Sequence, residues 1–119
     1  MRRIAPLAAA IGLAALLAVG ALSASRPTIT QAASGKTFHL AKRGSATLRL
    51  SNRWSWSDPR VSSKAVELTP VEYYVDPGFR EWTIDARRAG RATIRSIGTA
   101  RCAHCPVMTR AFRVTIAVG

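Results

Sequence analysis

The sequence is poor in the groups on which most enzymes depend. Two cysteines exclude a four-thiolate metal cluster, and two histidines leave little for a proton relay. Six carboxylates stand against eighteen basic side chains, so paired acids for glycosidic chemistry would have to come from Asp58, Glu67, Glu72, Asp76, Glu81 or Asp85. All six fall in turns or on the polar side of alternating segments, where solvated surface charges are expected. No glycine-rich phosphate cradle is present. A nucleophile–histidine pair also lacks support, because His39 alternates away from its apolar neighbours and His104 lies inside the cysteine pair. These shortages argue for a non-enzyme that holds no metal and no cofactor.

Apolar residues are plentiful, at 48%, but much of that content lies in one run. Met1-Arg2-Arg3 is followed by an uncharged stretch from Ile4 to Leu22, and small residues lead to Ser25. A charged start, an apolar middle and a small-residue exit form the layout of a signal peptide, expected over residues 1–25. An uncleaved anchor helix is the alternative, since nineteen residues at ~1.5 Å each nearly span a bilayer core. Either way the remainder is expected to be secreted or extracytoplasmic, touching a membrane only if that helix is retained. Residues 26–34 (RPTITQAAS) read as a polar tether, and residues 35–119 as a single domain, expected to be monomeric.

Within that domain hydrophobicity alternates with period two. Phe38 and Leu40, then Ala46, Leu48 and Leu50, interleave with polar neighbours. The pattern continues through Val66 and Leu68; Val71, Tyr73 and Val75; Trp82, Ile84 and Ala86; Ala92 and Ile94; and Phe112, Val114, Ile116 and Val118. Such runs are strands with one buried face. Turn chemistry separates them, including Asp76-Pro77-Gly78-Phe79, which suits a type II turn, and Arg87-Arg88-Ala89-Gly90. The expectation is an all-β, immunoglobulin-like antiparallel β-sandwich of about seven strands. Trp82 sits within a clean alternation and is expected in the core.

Two segments stand out from this framework. Trp54 and Trp56, two residues apart after Asn52, share one face of an extended chain and serve either as core packing or as a contact platform. The connection from Gly98 to Thr109 is long and contains Arg101, Cys102, His104 and Cys105. Its C-x-x-C spacing admits several chemistries. A thioredoxin-like site would need a helix N-terminus, which Pro106 and the flanking strands oppose. A c-type haem site would need His where Pro106 stands. A metal site would need His104 and a distant His39 in addition to the two thiols. A local disulfide between Cys102 and Cys105 after export is the simplest expectation, with an envelope redox or metal protein as an alternative.

Removing Arg2 and Arg3 still leaves sixteen basic residues against six acidic. Arg91 and Arg95 share the outward side of one alternating segment, and Arg113 holds the same place in the last. If those strands pair, the three form a basic patch suited to an anionic envelope polymer. Nucleic acid is not expected as a partner, because the chain is exported and no aromatic residues interleave with the arginines for base stacking.

Lys36-Thr37-Phe38-His39-Leu40, Ala46-Thr47-Leu48-Arg49-Leu50, the stretch from Arg80 to Ile94 and Phe112-Arg113-Val114-Thr115-Ile116 together resemble the strands of chagasin-type cysteine-peptidase inhibitors. The resemblance implies an immunoglobulin-like scaffold whose partner is a protein, a papain-type peptidase, bound through loops at one end. The loops depart from that family's pattern. Asn52 leads directly into Arg53-Trp54 without the Pro-Thr-Thr-Gly of the family's first loop, the middle loop has only Gly78, and no Trp follows Arg101. The expected contact residues are therefore Asn52, Trp54, Trp56, Gly78, Phe79, Arg101 and His104. The broader expectation is a non-catalytic module that binds a macromolecule through this end, with a chagasin-like inhibitor as the specific alternative.

Overall fold

The computed structural model describes residues 26–119, so the expected signal or anchor segment lies outside the described residues. Nine strands form two facing sheets: β1 (Thr28–Thr30), β2 (Thr37–Leu40), β3 (Ser45–Ser51), β4 (Trp54–Trp56), β5 (Arg60–Val61), β6 (Val66–Val71), β7 (Phe79–Ala86), β8 (Gly90–Ala100) and β9 (Thr109–Val118). One sheet has the order β1-β3-β7-β6; the other runs β2-β9-β8-β4, with β5 also on β8. Among the described residues the one helical element is a single 3-10 turn, Gln31–Ala33, and no helix is long and apolar enough to cross a membrane.

Alternation explains the layers. Leu48 and Leu50 on β3, Trp82 and Ile84 on β7, Ile94 on β8, and Phe112, Val114 and Ile116 on β9 all point between the sheets and are buried. The intervening residues face outward, so β8 and β9 pair over ten residues with one apolar and one polar side. Trp56 completes the core near the upper end, edge-on to Phe112 with centroids 6.3 Å apart. Its indole N–H donates to the Ser51 carbonyl at 2.9 Å, which satisfies the polar group that this side chain carries into the interior. The ring lies so close to β8 that a Cβ at Gly98 would come within 2.8 Å of it.

Three expectations need correction. The sandwich is mixed rather than wholly antiparallel, because β1 runs parallel to β3 and β2 parallel to β9. The opening segment crosses from one sheet to the other at the 3-10 turn and so covers an edge of each. Residues 26–34 are therefore no tether: Ile29 is fully buried against the core, and Thr28–Thr30 pair with Thr47–Arg49. Finally, the run through Tyr73 and Val75 does not continue as strand. β6 is an edge strand ending at Val71, and the chain then leaves the sheet until Phe79.

The strand count exceeds seven for local reasons as well. Between β4 and β5, Ser57 turns its hydroxyl onto the Ile97 N–H at 2.9 Å, and Pro59 has no N–H to offer the ladder. Arg80 joins the sheets on this side, donating to the Trp56 carbonyl at 3.1 Å and pairing with Asp58 at 3.3 Å.

If Ile29 is part of the core, Ile29→Ala should destabilise the domain by about 2–5 kcal/mol in urea unfolding. A loss under about 0.5 kcal/mol, the size expected at a bare surface site, would return this segment to the status of a tether.

Candidate functional site

Strands β3, β6 and β8 end where β4, β7 and β9 begin, so the three connections between them share one end of the sandwich. The first is Asn52-Arg53, the second runs from Glu72 to Gly78, and the third from Arg101 to Met108. Asn52 joins them. Its backbone N–H donates to the Gly78 carbonyl at 3.0 Å, and its side-chain amide donates to Asp76. Its own carbonyl accepts from the Arg101 guanidinium at 3.4 Å, while the Arg101 N–H reaches the Arg53 carbonyl at 3.3 Å. Loops distant in sequence are thereby tied by hydrogen bonds through one two-residue turn.

The middle loop is also built from within. Asp76 accepts from the Gly78 N–H at 2.8 Å, and Gly78 takes φ +92°, the left-handed conformation that a type II turn requires and glycine adopts without strain. At the loop's base, one oxygen of the Glu81 carboxylate accepts from the Tyr73 hydroxyl and the Arg49 Nε, each at 2.8 Å. Phe79 packs edge-on against Tyr73 and lies 4.6 Å beneath the Arg49 guanidinium. Tyr73, Phe79 and Glu81 border a cleft of about 250 Å³ whose walls include Asn52, Asp76 and Trp82.

Glu81 departs from the expectation that every carboxylate is a solvated surface charge, since its side chain is only 12% exposed. Burial alone would raise its pKa, but the hydrogen bonds from Tyr73 and Arg49 outweigh that effect and hold it below the ordinary carboxylate value. The same hydrogen bond raises the Tyr73 hydroxyl, because the proton it would lose is the one shared with the carboxylate. Arg49 is raised for the complementary reason, its bond to Glu81.

The sequence-expected contact residues separate into two groups. Asn52, Gly78, Arg101 and His104 lie in the three loops, and Phe79 stands half-buried at the foot of the middle one. Trp54 is half-buried beside them, its ring 5.9 Å from the Arg110 guanidinium. Trp56 does not belong to the surface: it is 5% exposed and is core packing, because alternation from Trp54 carries it between the sheets beneath Gly98.

Other residues at this end were not legible as contacts. Tyr73, Tyr74, Val75, Val107 and Met108 are five of the six large apolar side chains exposed among the described residues, and all lie in the middle and third loops. Scattered exposed apolar residues need no explanation, but a cluster at one end makes that end a candidate docking surface. The available signal was the adjacent pair Tyr73-Tyr74, which cannot alternate between faces as a strand would require.

Cys102 and Cys105 lie within disulfide distance of each other in the third loop, with Cα atoms 5.6 Å apart. No group of three or more His, Cys, Asp or Glu able to hold a metal occurs among the described residues. His39 pairs with Ala117, eight residues along β9 from the foot of that loop, or roughly 25 Å at strand rise. It cannot serve as a fourth ligand to the cysteine pair. Nor does any helix begin at Cys102 to activate a thiol in the thioredoxin manner.

No protein-family model matches the sequence, and no curated protein matches it. Among solved structures, the chain is similar to the cysteine protease inhibitor EhICP2 from Entamoeba histolytica, with a TM-score of 0.60 and 13% identity. That alignment covers 77% of this chain and 93% of the other. Amebosin is similar at a TM-score of 0.53 and 18% identity, over 80% of this chain and 99% of the other. At these identities the likeness is one of scaffold, and the scaffold is the one anticipated from the strand pattern.

The Glu81 cluster makes a pH prediction. A carboxylate whose folded pKa is depressed contributes stability above its unfolded value of ~4.3, and that contribution disappears as pH falls through the folded value. Glu81→Gln should therefore lower the urea midpoint at pH 7, and the gap from wild type should close as pH falls below about 4. A gap that stays constant over this range would show that the charged form of Glu81 contributes nothing.

Proposed function

We propose that this chain is an exported, non-catalytic inhibitor of papain-type cysteine peptidases, which it engages through the three loops at the Asn52 end. The observation that carries the reading is the convergence of those loops, bonded through Asn52 and crowned by Tyr74, Val75, Val107 and Met108. The shared scaffold with EhICP2, itself a cysteine protease inhibitor, supports the choice of partner class. The charged start and apolar run of Met1 to Ser25 support export, which also suits an oxidised Cys102–Cys105 pair.

The geometry suits blocking rather than chemistry. A peptidase cleft is a groove, and an array of loops held by a rigid sandwich fills a groove without having to order itself on contact. Loops already fixed by hydrogen bonds lose little conformational freedom on binding, which preserves affinity. Tyr74 is fully exposed, and Val75 and Val107 nearly so, as expected of anchors that become buried only in a complex. Below them the Asp76–Asn52–Arg101 contacts form a polar layer that keeps the anchors in register. The disulfide shortens the third loop's freedom at its tip.

Titration of a papain-type peptidase with the purified, oxidised protein tests the reading. Inhibition is expected at or below micromolar concentration and should be competitive with substrate. Truncating Tyr74 and Val107 together to Ala should weaken it about tenfold or more, as loss of interface anchors does, with thermal stability unchanged because both side chains are exposed. No inhibition at micromolar concentration by folded protein would remove the peptidase from the reading.

A further inference from the structure

Charge is divided unequally between the two sheets. Strands β1, β3, β6 and β7 carry two arginines, Arg49 and Arg80, against three carboxylates, Glu67, Glu81 and Asp85. Strands β2, β4, β5, β8 and β9 carry five arginines and no carboxylate. The outward face of that second sheet brings Arg95 directly opposite Arg113 on one side and Arg60 on the other. Arg91 lies on the same face two side-chain repeats further along β8, beyond Thr93, opposite Ala117. All four are exposed, and none belongs to an ion pair among the described residues. Pairing of β8 with β9 thus assembles the basic patch expected from Arg91, Arg95 and Arg113, and β5 adds Arg60 to it.

Like charges placed directly opposite across strands destabilise a sheet. Three arginines stand in one cross-strand row and none of them pairs with a carboxylate; Asp58, which shares a cleft with Arg60 and Arg95, is bonded to Arg80 at 3.3 Å. We propose that this face is a binding site for a linear polyanion built of repeated phosphate groups, separate from the loop end and independent of the peptidase reading. Strand spacing of ~4.8 Å sets the Cα atoms of Arg60, Arg95 and Arg113 along a line of about 10 Å, with Arg91 about 13 Å away along the strand. Guanidinium forks match phosphate oxygens in pairs. A single exposed ion pair contributes only ~0–1 kcal/mol, so a lone anion binds weakly here. A polymer engages several arginines at once, gaining from effective concentration and from release of its own counterions.

Other anionic partners fit this face less well. A membrane surface would need apolar side chains to insert, and Ile97 is the one large apolar residue exposed here; the rest cluster on the loops. Single-stranded nucleic acid would need aromatic platforms, and the outward positions of β8 and β9 are arginine, threonine, alanine and Ile97.

Long-chain inorganic polyphosphate is the probe, titrated against the folded, oxidised domain over a salt series. Wild type should bind at low salt, with log affinity falling linearly against log salt. Arg60→Ala/Arg95→Ala/Arg113→Ala should bind at least tenfold more weakly and lose about two to three units of that slope, at about 0.7–0.9 per phosphate contact. A control that removes the same charge elsewhere, Arg26→Ala/Lys42→Ala/Arg43→Gly, should change affinity by less than about threefold. The arginine triple variant should melt no lower than wild type, since it relieves repulsion, and its inhibition of peptidase, where wild type inhibits, should be unaltered. Equal losses in the two triple variants would overturn the proposal in favour of undirected net charge. Tighter binding to anionic lipid vesicles or to single-stranded DNA than to polyphosphate would also overturn it.

Discussion

The arrangement of the loop end depends on Asn52. A two-residue connection between β3 and β4 has no room for a structure of its own, so its polar groups are free to serve its neighbours. The Asn52 amide and side chain bind the middle loop, and its carbonyl receives the third. Because Asn52 directly follows β3, whose Leu48 and Leu50 are fully buried, the junction inherits the rigidity of the core. The loops above can then be long and apolar at their tips without collapsing onto the sheet.

Much of the scaffold could be read directly from alternation. Leu48 and Leu50, Trp82, Ile84 and Ala86, Ala92 and Ile94, and Phe112 to Val118 are buried at each alternate position, because one face of each strand must close on the other sheet. The readings that failed have specific physical causes. Ile29 sits in a three-residue strand, too short for a period to register, and its burial depends on a parallel partner in β3. Tyr73 and Val75 look like strand because their spacing is two, yet β6 is an edge and nothing pairs with it beyond Val71. Glu81 occupies an outward position, where charge is ordinarily solvated; only the fold of the middle loop brings Tyr73 over it.

The same division holds for the candidate surfaces. Asn52, Arg101 and the cysteine pair stood out as departures from regular pattern, which is how loops declare themselves in a sequence. Trp56 stood out equally and belongs to the interior, since an indole two residues from another can as well complete a core as extend a surface. Arg60 could not be joined to Arg95 and Arg113 by sequence, because β5 is two residues long and reaches β8 only after the irregular turn at Ser57–Pro59. Pattern identifies which side of a strand a residue takes. Which strands become neighbours is settled by the fold as a whole.

The parallel contact between β2 and β9 has a mechanical side. Gly35 and Gly119 donate to the carbonyls of Arg113 and Leu40, and Thr115 to that of Lys36, so the two strands are stitched along their whole common length. Tension applied at the two ends of the described chain reaches β1 first, and pulls β2 and β9 in opposite directions along their axes once β1 has left β3. Parallel strands under that load must slide, and every stitch bears force at once, whereas a hairpin pulled open at its free ends yields one bond at a time. Extension of the domain by its two ends is therefore resisted along this seam.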